Sequence, residues 1–493
     1  MATIRSSCCL RDCPEIAALV TARKNTACLP RLPVHNTLVV LPERASTHLM
    51  QFDLLPPTYT SALRSFSNLT SVDDALSISG GEPPLKLVTL GEPLAKCLDS
   101  SAAGYYYRPG ATDNFAIYLQ GGGLCVEPLD CLERARNSLG SSTNWPSSRV
   151  DNRNVLSSAA FNPFRSYHHV YVPYCSGDMY IGRQRKRNAF GLRFAGHHIL
   201  EAVLSDLLNR TTLATATRVL LSGGSAGGYG AFVHADWLHA RLATAGARAT
   251  IGVAPQSGAF FVANDVALIA DYLASPTQPT PLNFSAVASA YLYEFFGGLD
   301  AEPQLRPFLD ESCAEAHASH VWECWSVAKM FEHVSARVFV AQNRFDSCQA
   351  GQVLLADYWP LPLGRAAHAA SRRAFLRYFG RQTLDGIVSM ASRRNGSVAE
   401  GPPGSVEAGG LEAAGGVAGA LEAGGVASPA ADGLFVPSCY SHTGNMCMKG
   451  GTRIGGVSLA ESLHDWLVGG STVPHQLVDT CAGQDPCNPA CEC

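Results

Sequence analysis

Five short apolar runs bounded by turn residues punctuate the chain, at residues 115–119 (FAIYL), 170–172, 218–221, 249–253 and 337–340. Runs of this length, without polar alternation, are the pattern of strands buried on both faces. A sixth run, Leu434-Phe435-Val436, resumes the pattern late in the chain. Helical periodicity lies between the runs. Residues 197–208 place Ile199, Leu200, Val203, Leu204, Leu207 and Leu208 on one broad face. Residues 226–242 follow the third run directly, 348–358 follow the fifth, and 458–467 close the series. Strands alternating with helices predict an α/β fold, a mostly parallel sheet with helices on both faces.

The pattern is not uniform along the chain. Residues 1–95 carry scattered prolines and no chemical motif, and read as an irregular N-terminal extension. Residues 96–493 then form the α/β domain, interrupted at about residues 397–433 by a Gly/Ala-rich near-repeat (Glu407-Ala408-Gly409-Gly410, Glu422-Ala423-Gly424-Gly425) that reads as an inserted loop. No run of eighteen or more apolar residues is present, so no transmembrane segment is predicted. The net charge of −4 supplies no basic field for nucleic acid. Seventeen cysteines favour an oxidising compartment and disulfides over zinc, because they do not form paired C-x-x-C knuckles; the odd total leaves at least one thiol unpaired or paired between chains. Four N-x-S/T sequons, at Asn68, Asn209, Asn283 and Asn395, agree with secretion. The stretch after Met1 offers no apolar signal-peptide core, which cuts the other way.

The strongest chemical signal is Gly223-Gly224-Ser225-Ala226-Gly227, a G-x-S-x-G turn with a strand before it and a helix after it. A nucleophilic serine needs a sharp turn at a strand's C-terminal end, small neighbours and a helix N-terminus behind it. The setting is that of an α/β-hydrolase, with Ser225 as the candidate nucleophile. The run Gln120-Gly121-Gly122-Gly123-Leu124-Cys125 follows the first strand. Its backbone N–H groups at Gly122 or Gly123, with that of Ala226, suit an oxyanion hole; a flexible turn is the plain alternative. A serine also needs a base, and the base an orienting acid, in the order serine, acid, histidine. Of fifteen histidines, His442 follows an apolar run in a polar loop, where a base belongs. Asp346 lies just beyond a strand and serves either as that acid or as an N-cap for a helix starting at Ser347. The rival pair His464-Asp465 falls within an amphipathic helix and reads as surface or packing.

Taken together, five ordered blocks resemble the pectin acetylesterase family, which includes the Notum-type lipid deacylases. They are 119–125 with Cys131 shortly after, 172–178 (VPYCSGD), 222–228 (SGGSAGG), 342–346 (QNRFD) and 437–442 (PSCYSH). The resemblance implies Ser225, Asp346 and His442 as triad, no metal and no cofactor. It implies an extracellular O-deacylase acting on acylated polysaccharide or, as in Notum, on acylated protein. It implies a Cys125–Cys131 disulfide, less firmly Cys97 with Cys175, and Cys313 and Cys324 tethered to the C-terminal cysteines. Leu124 stands where the family usually has tryptophan, so it is a candidate wall of the substrate site. Phe260 and Phe261, downstream of the nucleophile, are candidate lining residues or core. Gln256 replaces a family acid, and the inserted loop precedes His442 unusually. O-acetyl removal from a polysaccharide such as pectin is the leading expectation. The alternatives are a Notum-like deacylase, a non-catalytic extracellular binding protein on the same scaffold, and a peptidase.

Overall fold

The structure, a computed structural model, describes residues 83–125, 128–259, 306–350, 376–377, 379–381, 383–388, 390–391, 432–480, 486–491 and 493. These belong to one of the chain's two compact units; the other, Asp12–Ser79, lies outside them. So do Phe260, Phe261, the three sequons other than Asn209, and nearly all of the Gly/Ala-rich insertion.

The described strands are β1 (Leu85–Thr89), β2 (Gly104–Arg108), β3 (Phe115–Leu119), β4 (Ser148–Arg149), β5 (His168–Val172), β6 (Arg218–Gly224), β7 (Thr250–Gln256), β8 (Phe339–Ala341), β9 (Phe345–Asp346), β10 (Gly433–Val436), β11 (Tyr440–Ser441), β12 (Arg453–Ile454), β13 (Val457–Ser458) and β14 (Gln476–Val478). The helices are α1 (Pro128–Arg134), α2 (Gly196–Arg210), α3 (Ala226–Val233), α4 (Ala235–Thr244), α5 (Glu311–Ala316), α6 (Val327–Phe331) and α7 (Leu459–Val468). Ten strands make one sheet in the order β14-β10-β8-β7-β6-β3-β5-β2-β1-β4. From β14 to β5 every pairing is parallel; β2, β1 and β4 extend the far edge antiparallel.

The sheet is covered on both faces because successive side chains point oppositely. On β6, Val219 and Leu221 enter a core shared with α2, α3 and α4 (Leu200, Phe232, Leu238). Leu220 between them enters a second core built on α7 (Leu463, Trp466), with Phe339 and Phe435. Helix α3 lies so close to the sheet that a Cβ on Gly227 would sit 2.0 Å from the Leu119 carbonyl oxygen. No side chain fits there.

Several sequence expectations are adjusted. Strand β1 begins at Leu85, inside the segment read as irregular up to residue 95. Residues 226–242 form two helices, broken at His234, whose Nδ1–H donates to the Gly230 carbonyl at 2.8 Å. His234 Nε2 then accepts from His197 Nδ1 at 3.0 Å. Burial holds both rings neutral, with the pKa of His234 pulled down to about 4. Cys313 bonds Cys324, not the C-terminal cysteines, which instead take Cys439 (with Cys491) and Cys447 (with Cys493). Cys97–Cys175 and Cys125–Cys131 are the remaining described disulfides. Among the described residues no helix is long and apolar enough to cross a membrane.

Candidate active site

Strand order places the site. From β3 the chain steps to β5 on one side, then returns to β6 on the other, so the order reverses at β3. In open α/β sheets a crevice opens at such a point, beyond the strands' carboxyl ends. Here the carboxyl ends are level: Leu119 pairs with Gly223, Gly224 with Gln256, and Gln256 with Ala341. The glycine loop, Ser225, Ser257 and the segment leading to Asp346 therefore leave the sheet along one edge.

Ser225 occupies the tight turn between β6 and α3, at φ 55° and ψ −121°. That backbone is strained for a residue with a side chain, and such strain persists only where its surroundings impose it. Here the Ser225 N–H donates to the Gln256 carbonyl at 2.9 Å, and the Ser225 carbonyl accepts from Tyr229 N. Ser225 is 6% exposed. Ala226 is the first residue of α3, so its N–H is among the helix's unsatisfied donors.

The glycine loop runs beside this turn. A Cβ on Gly121 would lie 3.0 Å from Ser225 Cβ. Gly122 (φ 150°) and Gly123 (φ 66°) take backbone conformations that side chains disfavour. The loop is braced from behind. Arg134 Nη2 donates to the Gly122 carbonyl at 2.7 Å, from a helix tied to the loop by Cys125–Cys131. Tyr180 Oη donates to the Gln120 carbonyl at 2.9 Å. The buried Asp178 fixes the turn carrying Tyr180 by accepting from Ser176 Oγ and the N–H groups of Tyr180, Gly182 and Gly196. Burial pushes its carboxyl up, while those bonds pull it down. Leu124 is packed into the main core, 4% exposed, behind the loop.

Asp346 and His442 meet because β9 and β11 pair in parallel, Phe345 with Tyr440 and Asp346 with Ser441. His442 Nδ1 lies 2.7 Å from Asp346 Oδ2. The Asp346 carboxylate is fully buried and also accepts from Gln342 Nε2 (3.0 Å), Cys348 N (3.0 Å) and Gln349 N (3.1 Å). An ionised carboxylate only accepts, so the His442 proton sits on Nδ1 and the Nε2 lone pair is left to accept another. The two readings of Asp346 are not exclusive: its Oδ1 caps the turn beginning at Ser347 while its Oδ2 holds the histidine.

The base loop is fixed through its backbone. The His442 carbonyl accepts from Asn343 Nδ2 at 2.6 Å and from Ser257 Oγ. Ser257 directly follows Gln256, which holds Ser225. A Cβ on Gly224 would fall 3.4 Å from Thr443 Cγ2, so the base loop lies against the serine turn. Two disulfides, from Cys439 and Cys447, flank His442 on either side. By contrast Asp465 bonds His475 Nε2 and Thr472, and His464 packs edge-on against Phe164; both are structural. Sequence reasoning overlooked Arg134, Tyr180, Ser257 and Asn343. Ser257 shows its role only through a strained φ of 48° and a partner 185 positions away.

The chain is similar to several known proteins. The profile of the family described as pectinacetylesterase matches residues 79–397, which include Ser225 and Asp346. Pectin acetylesterase 5 of Arabidopsis thaliana is 25% identical over 413 residues, 80% of this chain and 82% of that protein. The palmitoleoyl-protein carboxylesterase NOTUM of Schmidtea mediterranea is 29% identical over 268 residues, 52% of this chain; the match spans about half of that relative's length, 47%. The solved structure of the Wnt deacylase Notum from Drosophila superposes with a TM-score of 0.60 at 20% identity, over 83% of this chain and 100% of that one. That likeness extends to the fold. On the profile match, which spans well over half of the sequence, the chain belongs to the pectinacetylesterase family of carboxylic ester hydrolases.

Proposed function

We propose that this chain is an extracellular serine carboxylesterase that removes O-acyl groups through an acyl-enzyme. The observation that carries the reading is the 2.7 Å contact between His442 Nδ1 and a buried, fourfold hydrogen-bonded Asp346, on a loop that packs against the strained Ser225 turn. In this reading His442 Nε2 takes the Ser225 hydroxyl proton as Oγ attacks the ester carbonyl. The oxyanion forms against the N–H groups of Gly122 or Gly123 and Ala226. The imidazolium returns its proton to the departing alcohol. Water, activated by the same nitrogen, then releases the acid. Asp346 fixes the histidine tautomer throughout. Ser225→Ala is expected to abolish turnover of a small aryl acetate; near-normal turnover overturns the assignment.

We favour O-acetyl groups on an extracellular polysaccharide as substrate. The support is coverage: the plant pectin acetylesterase aligns over four-fifths of both chains, the flatworm Notum over about half. Acetyl and octanoyl esters separate the two, since a long acyl chain needs a deep apolar cavity. A clear octanoyl preference moves the assignment to lipid-modified protein. Five described disulfides support an oxidising, extracellular setting. A serine-directed irreversible probe separates the enzyme from a binding protein on the same scaffold, by labelling Ser225 or leaving it unmodified.

A further inference from the structure

Cys348 lies two residues beyond Asp346 and is buried, a thiol outside the five described disulfides. Its sulfur, a ring nitrogen of His442 and a carboxylate oxygen of Asp346 all lie within 4.8 Å of one another. A second cluster, Cys313 with His317 and His333, has similar spacing, but the Cys313 sulfur is committed to Cys324. In the first cluster the sulfur is a thiol.

We propose that Asp346, Cys348 and His442 form a binding site for a thiophilic divalent cation of the zinc class, and that occupancy switches the enzyme off. One sulfur, one imidazole nitrogen and one carboxylate oxygen is a donor set that suits zinc or cadmium and does not suit magnesium or calcium. Zinc bonds sulfur at about 2.3 Å and nitrogen or oxygen at about 2.0–2.2 Å, so its tetrahedral donors stand roughly 3.5 Å apart. The donors all lie within 4.8 Å of one another, and the His442–Asp346 pair opens slightly from its 2.7 Å hydrogen bond to admit the ion. The Cys348 backbone N–H already bonds Asp346 Oδ1, which fixes the two residues relative to each other. The His442 side chain, 15% exposed, gives the ion its approach from solvent.

On binding, the Cys348 thiol gives its proton to solvent, the His442 proton moves from Nδ1 to Nε2, and the ion replaces the Nδ1–H bond to Asp346 Oδ2; nothing is oxidised or reduced. The proton takes the Nε2 lone pair and the ion that of Asp346, both of which the esterase cycle uses. The inhibitory consequence rests on the catalytic roles proposed above; the binding itself does not.

The experiment uses the full chain with its disulfides intact. Co²⁺ titration is expected to produce a thiolate-to-metal charge-transfer band in the near ultraviolet, displaced by Zn²⁺ and absent from Cys348→Ser and Cys348→Ala. Zn²⁺ is expected to inhibit aryl acetate turnover, with EDTA restoring it. Relative to each variant's own metal-free rate, the half-inhibiting Zn²⁺ concentration should rise by at least the about 10- to 100-fold that losing an outer-sphere partner costs. A Co²⁺ complex without the band, or equal Zn²⁺ sensitivity in Cys348→Ser and the parent, overturns the site. If the band appears but Ser225→Ala still turns over ester, the site stands and the catalytic reading falls.

Discussion

Asp346→Asn isolates the part of the site that the hydrogen bonding defines best. The side chain keeps its shape, and its Oδ1 position must still accept from the N–H groups of Cys348 and Gln349, at 3.0 and 3.1 Å. The new NH₂ group is therefore driven into the Oδ2 position. There it faces two donors, Gln342 Nε2 at 3.0 Å and His442 Nδ1 at 2.7 Å. Gln342 cannot turn its amide to accept, because its Oε1 already takes the Ala259 N–H at 3.1 Å. His442 relieves the clash by moving its proton from Nδ1 to Nε2. That tautomer has no lone pair for the Ser225 proton. A wrong-tautomer amide at this place in a serine triad lowers kcat about 10⁴-fold, about 5.5 kcal/mol of barrier at 1.36 kcal/mol per decade. The surviving donor–donor contact with Gln342 costs stability by about 1–3 kcal/mol. Initial rates on an aryl acetate give kcat, and thermal unfolding with far-UV circular dichroism gives the fold. A folded Asp346→Asn enzyme within about tenfold of the parent kcat refutes the tautomer argument, since tenfold is only about 1.4 kcal/mol.

Three further expectations follow from contacts outside the proposed triad. Arg134→Met removes a charge-assisted bond to the Gly122 carbonyl, of a kind worth about 1.5–3 kcal/mol; kcat should fall roughly ten- to a hundredfold with KM little changed, and a lowered Tm at unchanged kcat would make the residue purely structural. Gly227→Ala drives a methyl group into the Leu119 carbonyl and should destabilise by about 3 kcal/mol, read as a shift in the denaturant midpoint. Burial holds His169 and His234 down to about 4 in the folded protein, against 6.5 for an unburied ring. Between those values the unfolded chain binds more protons, so stability is full above about pH 6.5 and falls as pH drops toward 4. Denaturant midpoints across that window should show the decline, and His234→Gln should flatten it.

The sheet's centre was readable because parallel strands buried on both faces are apolar throughout, as at Phe115–Leu119 and Arg218–Gly224. The antiparallel edge was not. Leu85–Thr89 is half-buried with a lysine in it, and Ser148–Arg149 is two polar residues paired at the margin. Helix α4 was merged with α3 because the apolar period runs through His234, while the break depends on a side chain bonding its own backbone. The serine turn was legible because its geometry demands small residues at fixed offsets. The braces were not, since Arg134, Tyr180, Ser257 and Asn343 act on carbonyls 12 to 185 positions away. A single polar residue does not announce a partner at that distance. The pairing of Cys313 was misjudged for a related reason. Sequence counts thiols, but the turn that brings Cys313 to Cys324 is a product of packing.

The two bridges from Cys439 and Cys447 have a bearing on how the enzyme matures. They close loops of 52 and 46 residues that begin just before and just after the proposed base. A nascent chain that has emerged as far as His442 already holds the serine turn and the acid. It lacks both bridges, which cannot form until Cys491 and Cys493 have cleared the ribosome and met an oxidant. On the catalytic reading proposed above, the segment bearing the base gains its covalent anchors only after synthesis has passed those cysteines and thiols can oxidise. A molecule stranded among reducing thiols would carry all three side chains with the histidine held by its hydrogen bonds alone.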